Sequence, residues 1–534
     1  MQLIKNATKQ KLRGGFYSPK TIADFILRWA FNGNKHCDIL EPSAGDGVFI
    51  ASLVDGKYQY NSVTAIEIET EEAVKIRKIP AKNLSVFEQD FHKYCNNTNN
   101  NYDIIVGNPP YIRYQYFDKD QQKEAEVIFE RNNIKYSKLM NSWCAFVVGC
   151  TNLLKENGKL GFVLPAEILQ VSHAKLIREF LIENFEKISI VSFKKLVFDA
   201  IQQDVVLLLC QKGSGTPHIE YIETEDDKTL QDLDLYKLKN PIKNIHNSSK
   251  WTNYFLDQKE LDFLEEIKNR KDLYRVKDLA DVEVGITTGA NDFFTVNNNI
   301  IDEYNLSEYS YPLIGRSVLV SGITFDNKKA KRNIDNNAKA NILIFPKLQE
   351  LKKNKPAMKY IEYGIQEGFA DGYKCRIRDE WQIIPSISLS NAFFSRRNNK
   401  YARMILNEAN AYTTDTMHRV HIKDGINKKA FVASYYNSLS FCFVELEGRS
   451  FGGGALELMP SEVSNIIIPF TESADILFDE IECVFSKKKD INKLLEYTNK
   501  ILLKDKLGFN IKDIKLFISI HNKLLEKRLR RKMN

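Results

Sequence analysis

The stretch of residues 38–49, DILEPSAGDGVF, decides the fold of this chain. A short apolar run leads into a turn that contains Gly45 and Gly47, and a second apolar segment follows. A glycine-rich turn between a strand and a helix lets the backbone come close to a ligand, because glycine has no Cβ. Two glycines alone are weak evidence, so the interpretation depends on the sequence around this turn.

Apolar runs alternate with amphipathic, helix-like patterns over the first 240 residues. The runs that predict strands are 38–40, 62–68, 85–89, 103–107, 159–164, 188–193 and 204–210. Helix-like patterns include 21–30 and 173–184. This alternation predicts βαβ units and a mostly parallel sheet, which is an α/β fold. The last run follows its predecessor without room for a helix, which predicts an antiparallel strand at the end of the sheet.

Acidic residues at the ends of the second and third predicted strands indicate a cofactor. Glu67 lies 22 positions beyond Gly45, the distance at which a carboxylate can accept hydrogen bonds from ribose hydroxyls. Asp90 can accept from an adenine amino group, and the Phe91 ring can lie against the base. The third glycine of a dinucleotide fingerprint is missing, and Asp46 would repel a pyrophosphate. The pattern favours S-adenosylmethionine, which carries adenosine and a positive charge; the alternative is an α/β domain that binds no nucleotide.

The fourth predicted strand ends in Asn108, Pro109, Pro110 and Tyr111. Ligands of open α/β sheets bind at the carboxyl ends of the strands, so this tetrapeptide is expected beside the cofactor. An amino group on an aromatic ring is a poor nucleophile, because its lone pair is delocalised into the ring. Two acceptors, the Asn108 side-chain carbonyl and the Pro109 backbone carbonyl, would make such a nitrogen more tetrahedral. The two prolines fix the backbone, and Tyr111 offers a face on which a base can stack.

The predicted chemistry needs no covalent intermediate, because a sulfonium is a good leaving group. Methylation at a ring carbon would need a thiol nucleophile, for which a Pro-Cys dipeptide is expected. No Pro-Cys dipeptide occurs in the sequence. The sequence therefore predicts transfer to an amino nitrogen.

The order of these motifs resembles that of the gamma-class, TaqI-like DNA adenine-N6 methyltransferases. The matching segments are GGFYSPKTIADFIL (14–27), EPSAGDGVF (41–49), AIEIE (65–69), QDF (89–91), NPPY (108–111), GKLGFVLP (158–165) and VFDAIQQDVVLLLCQK (197–212). In that family, Asn at the first position of NPPY is associated with adenine and Ser with cytosine N4. The resemblance covers the N-terminal half and implies a site-specific, adenine-specific DNA methyltransferase of a restriction-modification type system.

The resemblance also implies the fold and the residues of the site. The fold would be a class I S-adenosylmethionine-dependent methyltransferase (Rossmann-like) sheet, with Ser18 near the methionine moiety of the cofactor. The implied cofactor-binding residues are Ser18, Glu41, Ala44, Gly45, Gly47, Glu67, Ile68, Asp90, Phe91 and Asn108. The implied catalytic residues are Asn108, Pro109, Pro110, Tyr111 and Phe198. The adenine would be flipped out of the duplex, and stacking between Tyr111 and Phe198 would offset the unstacking cost of roughly a few kcal/mol.

The C-terminal half is then expected to recognise the DNA target. We predict a catalytic domain over 1–245, a mixed α+β target recognition domain over 246–470, and a helical segment of that domain over 471–534. Polar stretches between 211 and 255 predict a linker. Two segments, VGITTGANDFF (284–294) and GRSFGGGALELMPSEVSNIIIPF (448–470), are similar to pieces of C-terminal domains in this family. The candidates for phosphate or guanine contacts are Arg316, Arg376, Arg378, Arg396 and Arg397.

The composition limits the partners, metal sites and membrane contacts that the protein is expected to have. The net charge of +7 permits a polyanionic partner such as double-stranded DNA without requiring one. Eight cysteines without a C-x-x-C pair indicate neither a disulfide framework nor a zinc knuckle, and we interpret His418 and His421 as surface histidines, so no metal is expected. The polar start of the chain and the lack of an 18-residue apolar run predict a cytoplasmic protein that does not contact a membrane. A monomer is expected, with a separate cognate restriction endonuclease as a candidate partner.

Four alternatives stay open from the sequence. The NPPY motif also occurs in enzymes that methylate ribosomal RNA bases or protein glutamine, although the glutamine enzymes carry their extra domain before the catalytic core. A non-catalytic binding protein could keep the fold. A fused restriction enzyme is a further alternative. Because only 13 residues precede the first motif and no P-D-x(n)-E-x-K pattern with strand context is found, we expect a modification enzyme without cleavage activity.

Overall fold

The computed structural model of the chain describes residues 17–112, 116–137, 140–195, 197–198, 204–238, 243, 250–451 and 454–530. The chain divides into two compact units, and the boundary in the sequence lies between Asp262 and Phe263. The domain limits inferred from the sequence, at 245 and 470, stay predictions.

The N-terminal unit is built on one eight-stranded sheet. Its strands are β1 Cys37–Glu41, β2 Tyr60–Glu67, β3 Leu84–Glu88, β4 Tyr102–Gly107, β5 Leu154–Pro165, β6 Lys187–Phe193, β7 Val205–Gln211 and β8 His218–Thr224. They lie in the order β3-β2-β1-β4-β5-β7-β6-β8. Only β7 runs antiparallel to its neighbours in this sheet of described strands, and the other pairs are parallel. This order brings the ends of β1, β2, β3 and β4 to one edge, where a ligand of a doubly wound sheet binds.

Helices connect most of the parallel strands. They are α1 Lys20–Phe31, α2 Val48–Asp55, α3 Thr70–Ile76, α4 Phe91–Asn97, α5 Lys119–Arg131, α6 Ser142–Asn152 and α7 Lys175–Asn184. Short 3-10 turns cover Ala166–Leu169, Ser172–Ala174, Lys228–Gln231 and Trp251–Phe255. The two helices predicted at 21–30 and 173–184 correspond to α1 and α7. The sequence therefore predicted the α/β alternation correctly.

Two expectations about the end of this unit are wrong. The strand β7 is antiparallel, as expected, but it lies between β5 and β6 and not at the end of the sheet. The edge is formed by β8, which lies inside the polar stretch that predicted a linker. An edge strand can be polar because one of its sides faces solvent. The segment after β8 is also fixed, since Arg28 donates to the carbonyls of Leu230 (2.6 Å) and Leu233 (2.9 Å).

The C-terminal unit contains several small sheets. Its strands are β9 Tyr274–Arg275, β10 Ala280–Val284, β11 Thr295–Val296, β12 Ser310–Ile314, β13 Thr324–Phe325, β14 Asn341–Leu343, β15 Ala392–Ser395, β16 Arg397–Asn398, β17 Met404–Asn407, β18 Tyr412–Thr413, β19 Met417–Ile422, β20 Arg449–Phe451, β21 Ala455–Glu457 and β22 Ile467–Ile468. The strand orders are β10-β19-β15-β17-β13, β11-β14-β12-β18, β16-β21-β20 and β22-β9. This mixed arrangement could not be derived from the sequence, whose short runs carry no long periodic pattern.

Helices are interspersed with these strands and then dominate. They are α8 Gln258–Lys268, α9 Val276–Leu279, α10 Asn291–Phe294, α11 Asn298–Glu303, α12 Asn327–Asp335, α13 Leu348–Leu351, α14 Lys355–Gln366, α15 Tyr373–Arg376, α16 Lys428–Ser434, α17 Ser438–Glu447, α18 Pro460–Val463, α19 Phe478–Ser486, α20 Ile491–Thr498 and α21 Ile511–Arg530, with a π-helical turn over Asn499–Lys506. The predicted helical end of a mixed α+β domain is confirmed. One core of this unit combines aliphatic side chains with aromatic rings, among which Phe293 stacks on Tyr360 (ring centroids 4.6 Å apart).

The pair His418 and His421 lies on β19, and one of the two differs from expectation. His418 is fully buried, with its Nε2 atom 2.6 Å from the carbonyl of Leu458, so it is not a surface residue. The reason is that β19 lies between β10 and β15 in its sheet. Residues three apart on a strand point to opposite faces, so these two rings cannot share a metal ion. Among the described residues, no helix is long and apolar enough to cross a membrane.

We expect Lys159→Met to destabilise the protein by about 1–3 kcal/mol, because it leaves buried carbonyls without a donor. The buried Lys159 ammonium donates to the carbonyls of Ala30 (3.1 Å) and Asn32 (2.9 Å) at the end of α1. Urea denaturation measures the loss. The matched control is Lys155→Met on the same strand, which removes two partly exposed ion pairs, with Asp38 and Asp103, and should cost less than about 1 kcal/mol. Equal costs for the two variants would contradict this account of Lys159.

Candidate functional site

The turn between β1 and α2 requires both of its glycines. Gly45 and Gly47 have φ angles of 53° and 79°, in the left-handed region that side chains rarely adopt. A Cβ atom on Gly47 would lie 2.6 Å from Cδ1 of Ile79, and one on Gly45 would lie 3.2 Å from the Tyr17 ring. In this conformation the Gly45 amide donates to the Glu67 carboxylate at the end of β2 (2.7 Å).

A cleft of about 940 Å³ opens at this edge of the sheet. Predicted site residues that line it are Ser18, Glu41, Ala44, Gly45, Glu67, Ile68, Asp90, Phe91, Asn108 and Pro110. Predicted site residues outside the lining are Gly47, Pro109, Tyr111 and Phe198. The cleft has the size of a site for a cofactor. Residues 14–16 of the first motif and 199–203 of the last lie outside the described residues.

The Glu67 carboxylate is held by backbone amides. One oxygen accepts from the Gly45 amide, and the other accepts from the Glu69 amide (2.9 Å). Burial raises the pKa of Glu67, while these hydrogen bonds oppose the rise. Each carboxylate oxygen can accept a second hydrogen bond. The fixed carboxylate can therefore accept from a diol bound in the cleft.

Asp90 caps the start of α4 and also lines the cleft. Its carboxylate accepts from the Lys93 amide (3.0 Å) and from the Gln121 side chain (3.1 Å). Burial alone would raise the pKa of Asp90, but hydrogen bonds and the neighbouring imidazole outweigh it, so the pKa is lowered. Next to it, the Phe91 ring stacks on Phe146, with centroids 4.5 Å apart and planes 18° from parallel. This wall combines a carboxylate with an aromatic surface.

Two residues of this wall were missed in the sequence. Gln121 lies 31 positions after Asp90 on α5, and Phe146 lies in the middle of the apolar helix α6. Neither belongs to a motif with a fixed spacing. Only the packing of α5 and α6 against the sheet edge brings them to the cleft.

The lining of the cleft is strongly acidic. Its carboxylates belong to Glu41, Asp46, Glu67, Glu69, Glu71, Glu72, Asp90 and Asp118. In the described part of the chain, Lys75 is the only lysine or arginine of the lining. This balance disfavours a phosphate-bearing cofactor and suits one with a net positive charge.

Glu41 is the most deeply buried of these carboxylates. It is 2% exposed, and its Oε2 atom has no hydrogen-bond partner among the described residues. Burial, together with the charges of Asp46 and Glu67, raises the pKa of Glu41 well above its usual value. The buried Ser18 hydroxyl likewise has no partner among them. A buried carboxylate among other acidic groups is stabilised when a cation binds beside it. The sulfonium and the ammonium of S-adenosylmethionine are such cations.

The tetrapeptide 108–111 follows β4 directly beside the cleft. Asn108 and Pro110 are half-buried and line it. The Ser43 hydroxyl, from the turn after β1, donates to the Asn108 carbonyl (3.2 Å). The Tyr111 hydroxyl donates to the Val163 carbonyl of β5 (3.1 Å), and this ring is buried at 8% exposure. Phe198 is buried at 7% exposure in the segment after β6.

The five arginines named above as possible DNA contacts separate into two groups. Arg378 donates to the carbonyls of Thr288 (2.7 Å) and Trp381 (3.1 Å), and Arg396 pairs with Glu457 (2.7 Å). These two guanidinium groups are used inside the C-terminal unit, so their assignment as DNA contacts is not favoured. The exposed members are Arg316, Arg376 and Arg397, of which Arg397 also contacts the Glu457 carboxylate (3.3 Å).

Two family models match the chain. The model of the Eco57I restriction-modification methylase matches residues 51–198. The model of the C-terminal domain of the Type II methyltransferase M.Eco57I matches residues 248–503. The first match contains most of the cleft, and the second covers most of the C-terminal unit.

Similar proteins extend this likeness over the chain. The Type II methyltransferase M.AccI of Acinetobacter calcoaceticus is 24% identical over 474 residues, which is 84% of each protein. The Type II methyltransferase M.HincII of Haemophilus influenzae is 30% identical over 231 residues, which is 42% of each. The chain therefore spans most of M.AccI but less than half of M.HincII.

A solved structure shares the fold. The Type IIL restriction-modification enzyme MmeI in complex with DNA matches with a TM-score of 0.60 at 12% identity. The match covers 95% of this chain and 75% of that one. At this identity the likeness concerns the fold alone, and the predicted fold class, a class I sheet followed by a mixed C-terminal domain, is confirmed.

We expect Glu41→Gln to weaken binding of S-adenosylmethionine by about 10-fold or more, because the negative charge that would balance the positive charge of the cofactor is lost. The cofactor-free variant should unfold at a higher temperature than the unchanged protein near pH 8, since an uncompensated buried charge is removed. Because the pKa of Glu41 is raised in the folded state, the ionised carboxylate lowers the stability of the folded protein above that pKa. This destabilisation disappears as the pH falls towards 4.5, the usual pKa of a glutamate. The stability gain of the variant should disappear with it.

Calorimetric titration and thermal unfolding at two pH values test the role of Glu41. The matched control is Glu71→Gln, which makes the same charge change at an exposed residue of the cleft. Unchanged cofactor affinity in Glu41→Gln, or an equal loss in both variants, would contradict the role.

Proposed function

We propose that this chain, which belongs to the gamma-class DNA methyltransferases of restriction-modification systems, methylates the N6 amino group of adenine in duplex DNA. S-adenosylmethionine is the methyl donor. One observation carries the proposal: Asn108 and Pro110 line an acidic cleft whose other walls contain Glu67 and Asp90. The amine-activating motif and the cofactor-binding carboxylates thus share one site.

The residues after β4 supply the activation of the amine. The Asn108 side-chain carbonyl and the Pro109 backbone carbonyl accept the two hydrogens of the adenine amino group. Accepting both draws the nitrogen out of conjugation with the ring, so its lone pair becomes available. When bound, the cofactor supplies an electrophilic methyl group with a good leaving group. Asn at the first position of the tetrapeptide supports adenine over cytosine as the target.

Different residues of the cleft would contact different parts of the cofactor. Glu67 would accept from the ribose hydroxyls, and Asp90 from the adenine amino group of the cofactor, beside Phe91 and Ile68. The Glu41 carboxylate would balance the positive charge of the methionine end. Glycines at 45 and 47 keep the turn close to the ligand, with the Ala44 and Ser18 positions as further contacts.

The target base would leave the duplex to reach this site. Tyr111 and Phe198 would stack on its two faces, which offsets an unstacking cost of roughly a few kcal/mol. The Tyr111 hydroxyl is tied to the Val163 carbonyl, which anchors the ring at its polar end, and the ring is 8% exposed and outside the lining of the cleft. A fixed ring loses little entropy when a base stacks on it.

The C-terminal half supports DNA as the substrate. Residues 248–503 match the C-terminal domain of a Type II methyltransferase, and we propose that 246–470 reads the target, with 471–534 as its helical segment. We further propose that the protein acts as a monomer in the cytoplasm, with a separate restriction endonuclease as a possible partner. Methylation of ribosomal RNA or of protein glutamine is the second candidate, because the same tetrapeptide serves those acceptors.

Transfer of the labelled methyl group from methyl-tritiated S-adenosylmethionine to different acceptors distinguishes the substrate classes. Duplex DNA from a methylation-free host, ribosomal RNA and release factors are incubated in parallel with the protein. Label in DNA supports the proposal, and label in RNA or protein but in no duplex overturns it. Nucleoside analysis of the DNA then separates N6-methyladenine, the expected product, from N4-methylcytosine, which would contradict the adenine assignment.

We expect Asn108→Ala to lower methyl transfer by about 10²-fold or more, because one oriented acceptor is lost. Cofactor affinity should be retained, since Asn108 acts on the target amine. Single-turnover transfer and calorimetric titration measure the two quantities separately. The control Asn97→Ala changes an exposed residue of α4 and should leave the rate unchanged. A loss of cofactor affinity as large as the loss of rate would refute the assigned role.

We expect Arg316→Ala and Arg376→Ala to weaken DNA binding, because exposed guanidinium groups are free to contact phosphate. Each should lower the slope of log affinity against log salt by about 1. Fluorescence anisotropy with a duplex of mixed sequence, over a range of salt concentrations, measures this. An unchanged slope in both variants would remove these two residues from the interface.

A further inference from the structure

The backbone of the tetrapeptide is held by two serine hydroxyls from different elements. Ser43, in the turn after β1, donates to the carbonyl of Asn108 (3.2 Å). Ser142, the first residue of α6, donates to the carbonyl of Pro110 (2.5 Å). Each hydroxyl thus binds one of the carbonyls that flank Pro109. Both serines also line the cleft.

Ser142 makes a second and a third bond to the same segment. Its hydroxyl oxygen accepts from the Ile112 amide (3.1 Å), and its own amide donates to the Ile112 carbonyl (3.0 Å). The residue is 1% exposed, so these bonds are shielded from water. A buried hydroxyl that donates to the Pro110 carbonyl and accepts from the Ile112 amide fixes the two peptide groups on either side of Tyr111.

In this arrangement neither serine hydroxyl binds the Pro109 carbonyl. It accepts no hydrogen bond from the residues that the structure describes, whereas the carbonyls on both sides accept one each. Proline has no N–H, so neither Pro109 nor Pro110 can donate to a neighbouring carbonyl. The carbonyl proposed to accept from the target amine is therefore one that no described residue binds; Pro109 itself is buried and, unlike Asn108 and Pro110, does not line the cleft.

We propose that Ser43 and Ser142 are positioning residues that clamp the catalytic tetrapeptide and leave the Pro109 carbonyl for the target amine. The inference depends on the proposed amine methylation. The serines do not touch the reacting atoms in this role. They act through Asn108 and Pro109, whose oxygens must be held within a fraction of an ångström for the amine to be activated.

The test compares single-turnover methyl transfer in Ser43→Ala, Ser142→Ala and the unchanged protein. We expect each variant to lose about 10- to 100-fold in rate, the scale of a small misplacement of reacting groups. Cofactor affinity, measured by calorimetric titration, should stay unchanged. Ser142→Thr retains the hydroxyl and should recover most of the lost rate.

A double-mutant cycle distinguishes positioning from general destabilisation. If the serines act through Asn108, their removal should cost clearly less in an Asn108→Ala background than in the unchanged protein. The matched control is Thr151→Val, which deletes a buried hydroxyl bond to the Val147 carbonyl at the other end of α6. That control should leave the rate unchanged.

Three results would overturn the inference. These are wild-type rates in both alanine variants, equal rate losses in the two backgrounds of the cycle, and a rate loss in Thr151→Val as large as in Ser142→Ala. The comparison is made on whichever acceptor the unchanged protein labels, whether DNA, RNA or protein. The identity of that acceptor decides the proposed function, and the ratio of the rates decides the role of the serines.

Discussion

The hydrogen bond from the Gly45 amide to the Glu67 carboxylate joins the ends of β1 and β2, and the cleft depends on it. Gly45 makes this bond with a φ of 53°, which favours glycine, and a Cβ at this position would lie 3.2 Å from the Tyr17 ring. The Glu69 amide holds the other carboxylate oxygen, so Glu67 is fixed in place before any ligand arrives. A carboxylate that is already ordered loses no rotamer freedom on binding. The other walls of the cleft follow from the strand order, which brings β3 and β4 to the same edge.

The negative charge of the cleft determines which chemical groups can enter it. Among the described residues, the lining contains eight carboxylates and one lysine and attracts a cation, and Glu41 gains most from one because it is buried beside Asp46 and Glu67. The same field would repel a nucleic-acid backbone. Under the proposed function, only an uncharged base could enter beside Asn108, while the phosphates would stay outside. Base flipping would then be an electrostatic requirement as well as a steric one.

The parts of the molecule that could be predicted from the sequence are those whose residues follow a known motif spacing or a regular hydrophobic period. The alternating runs located seven of the eight strands in the sheet, and the motif residues Glu67, Asp90 and Asn108 meet at one cleft. The edge strand β8 was missed because its solvent side allows polar residues, so its composition resembles that of a linker. Gln121 and Ser142 were missed because their contacts arise from helix packing, which leaves no spacing to detect. The buried position of His418 likewise follows from the order of strands in a sheet that short runs could not reveal.

The central claim is that two fixed oxygens, the Asn108 side-chain carbonyl and the Pro109 carbonyl, activate an aromatic amine beside the cofactor. A crystal structure with duplex substrate and the unreactive cofactor analogue sinefungin tests it most directly. The account predicts a flipped adenine whose amino nitrogen lies about 2.7–3.2 Å from both oxygens. A base that stays stacked in the helix, or an amine that contacts neither oxygen, would contradict it.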